Sequence, residues 1–232
     1  MVVRPGTVAH TGRMLCPYAD ALALLDTLAD RPTVAPDILV FVEHPPVITL
    51  GRKGGAAAVH ARAVHLPGHA EPVAVDVWDI ARGGSVTYHA PGQLVGYPVV
   101  QLARLDGPVG RGPLGDLPGY ARLLEAAIQQ ACRACGVPTV LRPGFAGVWI
   151  DDHTKLASIG VGVRNGWTLH GFALNVCPHL EGFAAITPCG LDGVRMTSLW
   201  QQADERGLPR PAWEAVAAEL EVALVARLRR RA

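Results

Sequence analysis

Residues 139–176 read TVLRPGFAGVWIDDHTKLASIGVGVRNGWTLHGFALNV, and their reading decides the fold class. Short β-rich runs fit 139–142, 146–150, 155–163 and 168–176, each bounded by turn-forming residues. The turn letters Asp151-Asp152-His153-Thr154 join 147–150 to the run opening at Lys155, so these two make a hairpin. A helix precedes the group, from about Tyr120 to Cys135, ended by Gly136 and Pro138. Strands gathered in bunches, with helices between and after the bunches, indicate an α+β domain rather than regular βαβ alternation.

Working outward toward the N-terminus, ILVFVEHPPVITLG (38–51) holds two β-rich runs broken by Pro45-Pro46: a strand, a kink and a second strand. Val73–Trp78 alternates like a half-buried strand. The runs Ser85–His89 and Leu94–Leu102 flank Ala90-Pro91-Gly92-Gln93, giving a strand, a tight loop and another strand. The stretch 104–118, dense in Gly and Pro, reads as a linker or excursion. On the other side, 177–192 is loop-rich and a short helix fits Ser198–Ala203. A final helix spans 211–230, with Pro211 at its start, where a missing N–H does no harm. Arg227, Arg229, Arg230 and Arg231 suit the C-terminal end of that helix. No internal repeat interrupts the pattern, so a single domain over 1–232 is the simplest account.

Composition narrows the function classes. Half the residues are hydrophobic and 18% are charged, a compact globular balance rather than a disordered one. The 26 glycines and 19 prolines exclude an all-helical bundle. A formal net charge of +1 supplies no global field toward nucleic acid or an anionic membrane. Five irregularly spaced cysteines do not make a disulfide framework, and no signal segment or long apolar run is present, so a reducing, cytoplasmic location is expected.

Four places carry candidate chemistry. Cys189 lies in Ile186-Thr187-Pro188-Cys189-Gly190-Leu191, presented on a turn between a direction-fixing proline and a permissive glycine. A thiol attacks acyl groups as thiolate, and a nearby cation raises the thiolate fraction. A loop cysteine filling a small gap explains the same local letters. Lys155 is one of two lysines, with Lys53, against nineteen arginines. Arginine does not give up its proton near neutral pH, whereas a partly desolvated lysine exchanges one. A solvated lysine at a hairpin end is the bland alternative. Arg82–Gln93 (RGGSVTYHAPGQ) places paired glycines before a β-rich run, as backbone packed closely around a ligand would; glycine turns also simply turn. In His170–Val176 (HGFALNV) small residues alternate with apolar ones, which suits a strand beside a slender acyl chain or a plain core strand.

Other readings fail. Cys132 and Cys135 have redox spacing but lie late in a helical run, so core packing explains them. Cys177, His179, His170 and Cys189 lack paired-ligand spacing for zinc, and no metal is expected. His44 or His89 as a papain-like base for Cys189 lacks that class's signature, and no GK[ST] phosphate loop occurs.

Together these stretches resemble the lipoyl(octanoyl) transferases, which belong with the biotin and lipoate protein ligases. The matching text runs in order: EHPPVITLGR from Glu43, RGGSVTYHAPGQLVGYP from Arg82, GVWI with KLASIGVGV from Gly147, LHGFALNV from Leu169, and ITPCGL from Ile186 with Thr197-Ser198-Leu199 beyond. It covers about residues 36–203. Where the family usually has His-Gly-Pro-Gly-Gln, Ala90 stands between His89 and Pro91.

The resemblance implies a biotin/lipoate ligase-like catalytic domain, a mixed β-sheet flanked by helices with a smaller β-rich layer. It also implies transfer of octanoyl from octanoyl-acyl carrier protein to a lysine of lipoyl domains, in 2-oxoacid dehydrogenase complexes and the glycine cleavage H protein. In that reading Cys189 carries the acyl group as a thioester, Lys155 controls the proton, and no nucleotide cofactor is required. Substrate binding falls to Arg82, Gly83, Gly84, Ser85, Val86, Thr87, Tyr88 and His89, to Ser158, Ile159 and Gly160, and to Gly171, Phe172 and Ala173. Charge marks Arg52, Lys53 and Arg82 as candidates to meet the acidic carrier protein. The alternative is an ATP-dependent lipoate or biotin-type ligase on the same fold, which needs a lysine but no nucleophilic cysteine.

Overall fold

The computed structural model describes residues 8–10, 15–105, 116–191 and 193–228, and of Val8–His10 and Cys189 the backbone alone. Most of the 104–118 excursion and the end of the last expected helix therefore lie outside the described residues. In chain order the elements are β1 (Val8–His10), α1 (Tyr18–Ala29), β2 (Ile38–Val42), β3 (Val47–Leu50), β4 (Ala63–Val64), β5 (Val73–Ala74), β6 (Asp76–Asp79), β7 (Val86–His89) and β8 (Gln93–Val99). Then come α2 (Leu117–Ala134), β9 (Val140–Arg142), β10 (Phe145–Trp149), β11 (Thr154–Arg164), β12 (Trp167–Asn175), β13 (Arg195–Met196), α3 (Leu199–Glu205) and α4 (Trp213–Leu228). The fold is α+β.

The main sheet runs β1-β2-β8-β12-β11-β10-β9, with β13 pairing parallel to β11. It is mixed: β1 and β2 are parallel, whereas β2, β8, β12, β11, β10 and β9 pair antiparallel in succession. The expected hairpin at 151–154 is present, with Val148 opposite Ala157 and Trp149 opposite Lys155.

Both faces of the central strands are covered, which explains runs without polar alternation. Along β2, Leu39 and Phe41 pack with α2 and α4, while Ile38, Val40 and Val42 pack with α1. On α2, Tyr120, Leu124, Ala127, Ile128 and Ala131 recur at helical spacing and are fully buried. Its start is set by the Asp116 side chain, which accepts the Gly119 N–H at 2.9 Å, with proline in the first turn. Cys132 is fully buried in the same core, and Cys135 packs at its edge.

A three-stranded sheet, ordered β6-β3-β7, forms a second layer around Ile48, Tyr88, Phe183 and Ile186. One sequence expectation changes here. The run 73–78 splits into β5, paired with β4, and β6, in the three-stranded sheet. The strand, loop and strand expected around Ala90–Gln93 are present, with β7 joining β3 and β8 joining the main sheet. Pro45-Pro46 and Ala90–Gly92 are thus crossings between layers, a long-range outcome that local turn letters do not specify. Helix α1, absent from the sequence expectation, was signalled by Tyr18, Ala21, Leu25 and Leu28, which share one helical face and are buried.

Candidate active site

The two layers enclose a cavity of about 480 Å³. Its apolar walls come from Val86 on β7, Val95 on β8, Ile159 and Val161 on β11, Phe172 and Ala173 on β12, and Leu117 at the start of α2. The stretch Ala81–Gly83 crosses β11 at close range, with the Gly83 N–H donating to the Val161 carbonyl at 2.8 Å. A Cβ at Gly160 would sit 2.8 Å from the Gly83 carbonyl oxygen and 2.9 Å from Arg82 Cδ, so only glycine admits the crossing.

Lys155, the second residue of β11, is 2% exposed and lines this cavity. Its Nζ donates to the Ala146 carbonyl at 3.0 Å and lies 4.8 Å from the centre of the Trp149 ring, a cation–π distance. Burying an ammonium requires such partners. The first strand of the hairpin, β10, provides them: Gly147 adopts φ +133 at an irregular point in its pairing, Ala146 before it offers the accepting carbonyl, and Trp149 after it offers the ring.

The residues singled out by sequence meet around this space. Arg82, Gly83, Gly84, Ser85, Val86, Thr87, His89, Ser158, Ile159, Gly160, Gly171, Phe172 and Ala173 all line it. Tyr88 does not: alternation along β7 turns its ring to the other side, edge-on to Phe183 at 5.3 Å. Arg82 is 7% exposed and donates to Thr49 Oγ1, the Thr49 carbonyl and the Gly83 carbonyl. That corrects one expectation, since a buried guanidinium is not available to a docking carrier protein; Arg52 and Lys53 are exposed.

Cys189 belongs to the short 3-10 turn Pro188–Gly190. The Thr187 N–H donates to the Ala58 carbonyl at 2.8 Å and the Gly190 N–H to the Thr187 carbonyl at 2.9 Å, pinning this turn. Leu191, immediately beyond, lines the cavity, and the chain returns so that Met196 pairs beside Lys155.

Sequence reasoning left out other lining residues, among them Tyr18 from α1, Tyr97 and Gly144–Ala146, while His170 of the HGFALNV stretch does line the cavity. The polar side of the cavity is a hydrogen-bonded network. His89 Nδ1 meets Gln93 Oε1 at 2.7 Å, Gln93 Nε2 donates to Asn175 Oδ1 at 2.9 Å, and Asn175 Nδ2 donates to the Thr197 carbonyl at 2.9 Å. His44 bridges the Cys16 carbonyl and the Tyr97 hydroxyl, each at 2.7 Å. Burial is the main cause holding His89 down to about 3, and His44 and His170 down to about 4. These imidazoles are therefore neutral near pH 7. Among the described residues no group of three His, Cys, Asp or Glu could hold a metal ion. No helix among them is long and apolar enough to cross a membrane.

A largely apolar cavity walled by glycine-rich strands, with the buried Lys155 at its side, sits between the two layers of this α+β domain. Its fold is that of solved lipoate-protein ligases. A lipoate-protein ligase A bound with ATP superposes with a TM-score of 0.66 at 16% identity, covering 93% of this chain and 83% of its own. A bi-partite lipoate protein ligase from Thermoplasma acidophilum superposes with a TM-score of 0.60 at 18% identity, covering 92% and 82%.

The model of the lipoyl protein ligase A/B catalytic domain matches residues 17–221, and the chain belongs to that family. Among its relatives, the octanoyltransferase of Syntrophotalea carbinolica is 46% identical over 187 residues, 80% of this chain and 79% of the relative. The octanoyltransferase of Geobacter sulfurreducens is 42% identical over 203 residues, 87% of this chain and 78% of the relative.

Proposed function

We propose that this protein is an octanoyltransferase of protein lipoylation, moving octanoyl from an acyl carrier protein to a lipoyl-domain lysine through a thioester on Cys189. The observation that carries the reading is the buried ammonium of Lys155 on the wall of an apolar cavity that Leu191, two residues past Cys189, also lines. Relatives named octanoyltransferases are 42–46% identical, whereas the two superposed ligases share only the fold, at 16% and 18%.

The Cys189 thiolate attacks the carbonyl carbon of the carrier thioester; the tetrahedral oxyanion collapses, the carrier C–S bond breaks, and the carrier leaves as a thiolate that takes a proton. The acyl chain, now on Cys189, lies in the cavity. The amine of a lipoyl-domain lysine then attacks, the C–S bond to Cys189 breaks, and an amide forms. Lys155 stabilises the thiolate as an ammonium and relays the proton that the attacking amine must lose. Backbone N–H groups of the 82–84, 158–160 and 171–173 stretches are the candidates to hold the oxyanion. Thioester to amide runs downhill, so no nucleotide is consumed, and octanoyl rather than free octanoate is the form accepted.

Intact mass spectrometry after mixing with octanoyl-carrier protein is expected to show one octanoyl adduct in the wild type and none in Cys189→Ala. Normal transfer by Cys189→Ala would sink the thioester. Lys155→Arg keeps charge but does not release a proton near neutral pH, so turnover collapses; wild-type turnover in that variant removes the proton role. Transfer that demands ATP and free octanoate would establish the ligase chemistry instead.

A further inference from the structure

Behind Lys155 stands a carboxylate that the transfer steps do not use. Glu125 lies midway along α2 and is 7% exposed. Its Oε1 accepts the Gly147 N–H at 3.0 Å. Gly147 follows Ala146, whose carbonyl accepts the Lys155 Nζ donor, also at 3.0 Å. The same glycine presses on the lysine stem, since a Cβ there would lie 2.6 Å from Lys155 Cε. One helix carboxylate thus holds the bend that holds the ammonium.

The charged groups that face Glu125 are Arg122, one turn earlier on α2, and Lys155 on β11. Burial pushes its carboxyl above the ordinary value, opposed by the Gly147 N–H and then by those two cations.

We propose that Glu125 is a positioning residue for Lys155: it fixes the Ala146–Gly147 bend on which Nζ is held and supplies the negative charge that faces the ammonium. The chemistry this serves rests on the acyl-transfer reading, while the contact itself does not. A plain structural contact would need only the acceptor oxygen.

Glu125→Gln separates the two, because it keeps an acceptor for Gly147 and removes the charge. In octanoyl-transfer assays this variant is expected to melt like the wild type, keep KM for the donor, and lose roughly tenfold in kcat. Glu125→Ala, which removes both features, should lose more. A Gln variant with wild-type kcat overturns the proposal. Because Lys53 and Lys155 are the two lysines of the chain, 13C-lysine labelling gives a readout independent of turnover. The Lys155 Cε signal should shift in Glu125→Gln while that of Lys53 stays. If the wild type forms no octanoyl adduct, the acyl-transfer reading fails, yet this signal still tests Glu125, and an unmoved Lys155 signal overturns its role.

Discussion

Gly147 carries three demands that no other residue type meets together. Its φ of +133 is disfavoured for any residue with a side chain, its N–H feeds Glu125, and its open face takes the stem of Lys155. A single methyl group therefore tests the arrangement. Gly147→Ala should lower stability by about 1–3 kcal/mol in urea unfolding and remove most octanoyl transfer, because backbone strain, a clash with the Ala157 carbonyl and displacement of Lys155 coincide. A variant that keeps both stability and turnover would show that the bend relaxes freely. At the same scale, Lys155 stands out in the sequence because arginine replaces lysine almost everywhere else, whereas its partners Glu125, Ala146 and Trp149 carry no such mark.

Among the elements, α2 serves both the core and the site. Its buried face packs between α4 and the main sheet, its first turn lines the cavity, and its middle supplies Glu125. Ile128 is fully buried on that face, so Ile128→Ala leaves a void that the packed helices fill only partly. The expected loss is about 2–5 kcal/mol by denaturant titration, with an unchanged denaturant slope. A loss below about 1 kcal/mol would mean that α2 and α4 close over the gap. Strand periodicity fares differently. The alternation along β7 separates Tyr88 from Thr87 and His89, yet nothing in four letters says which side is the cavity.

Taken whole, the molecule buries three imidazoles near one another: His44 and His89 have ring centroids 5.7 Å apart, and His170 lines the same cavity as His89. Burial holds them at about 4, 3 and 4, respectively, against roughly 6.5 for the unfolded chain. Between those limits the unfolded chain binds protons that the folded one refuses, so stability is full above about pH 6.5 and falls as pH drops toward 4. At pH 5 each group withdraws roughly 1–2 kcal/mol. The thermal midpoint should therefore fall by several degrees between pH 7.5 and 5, and a flat midpoint would show that water reaches these rings.

From its letters alone this chain specified strands bunched at 139–176, helices near 120–135 and 211–230, a cysteine on a Pro–Cys–Gly turn, and a lysine at a strand's start. Those features are local: hydrophobic period, turn chemistry and residue rarity all act within a few positions. Tertiary structure decided which strands share a sheet, that Arg82 is buried beneath its own loop, that Tyr18 and Tyr97 help line the cavity, and that Glu125 stands behind Lys155. Each of these joins residues far apart in the chain, and such pairings are chosen by how whole layers bury their faces, which no short window of sequence records.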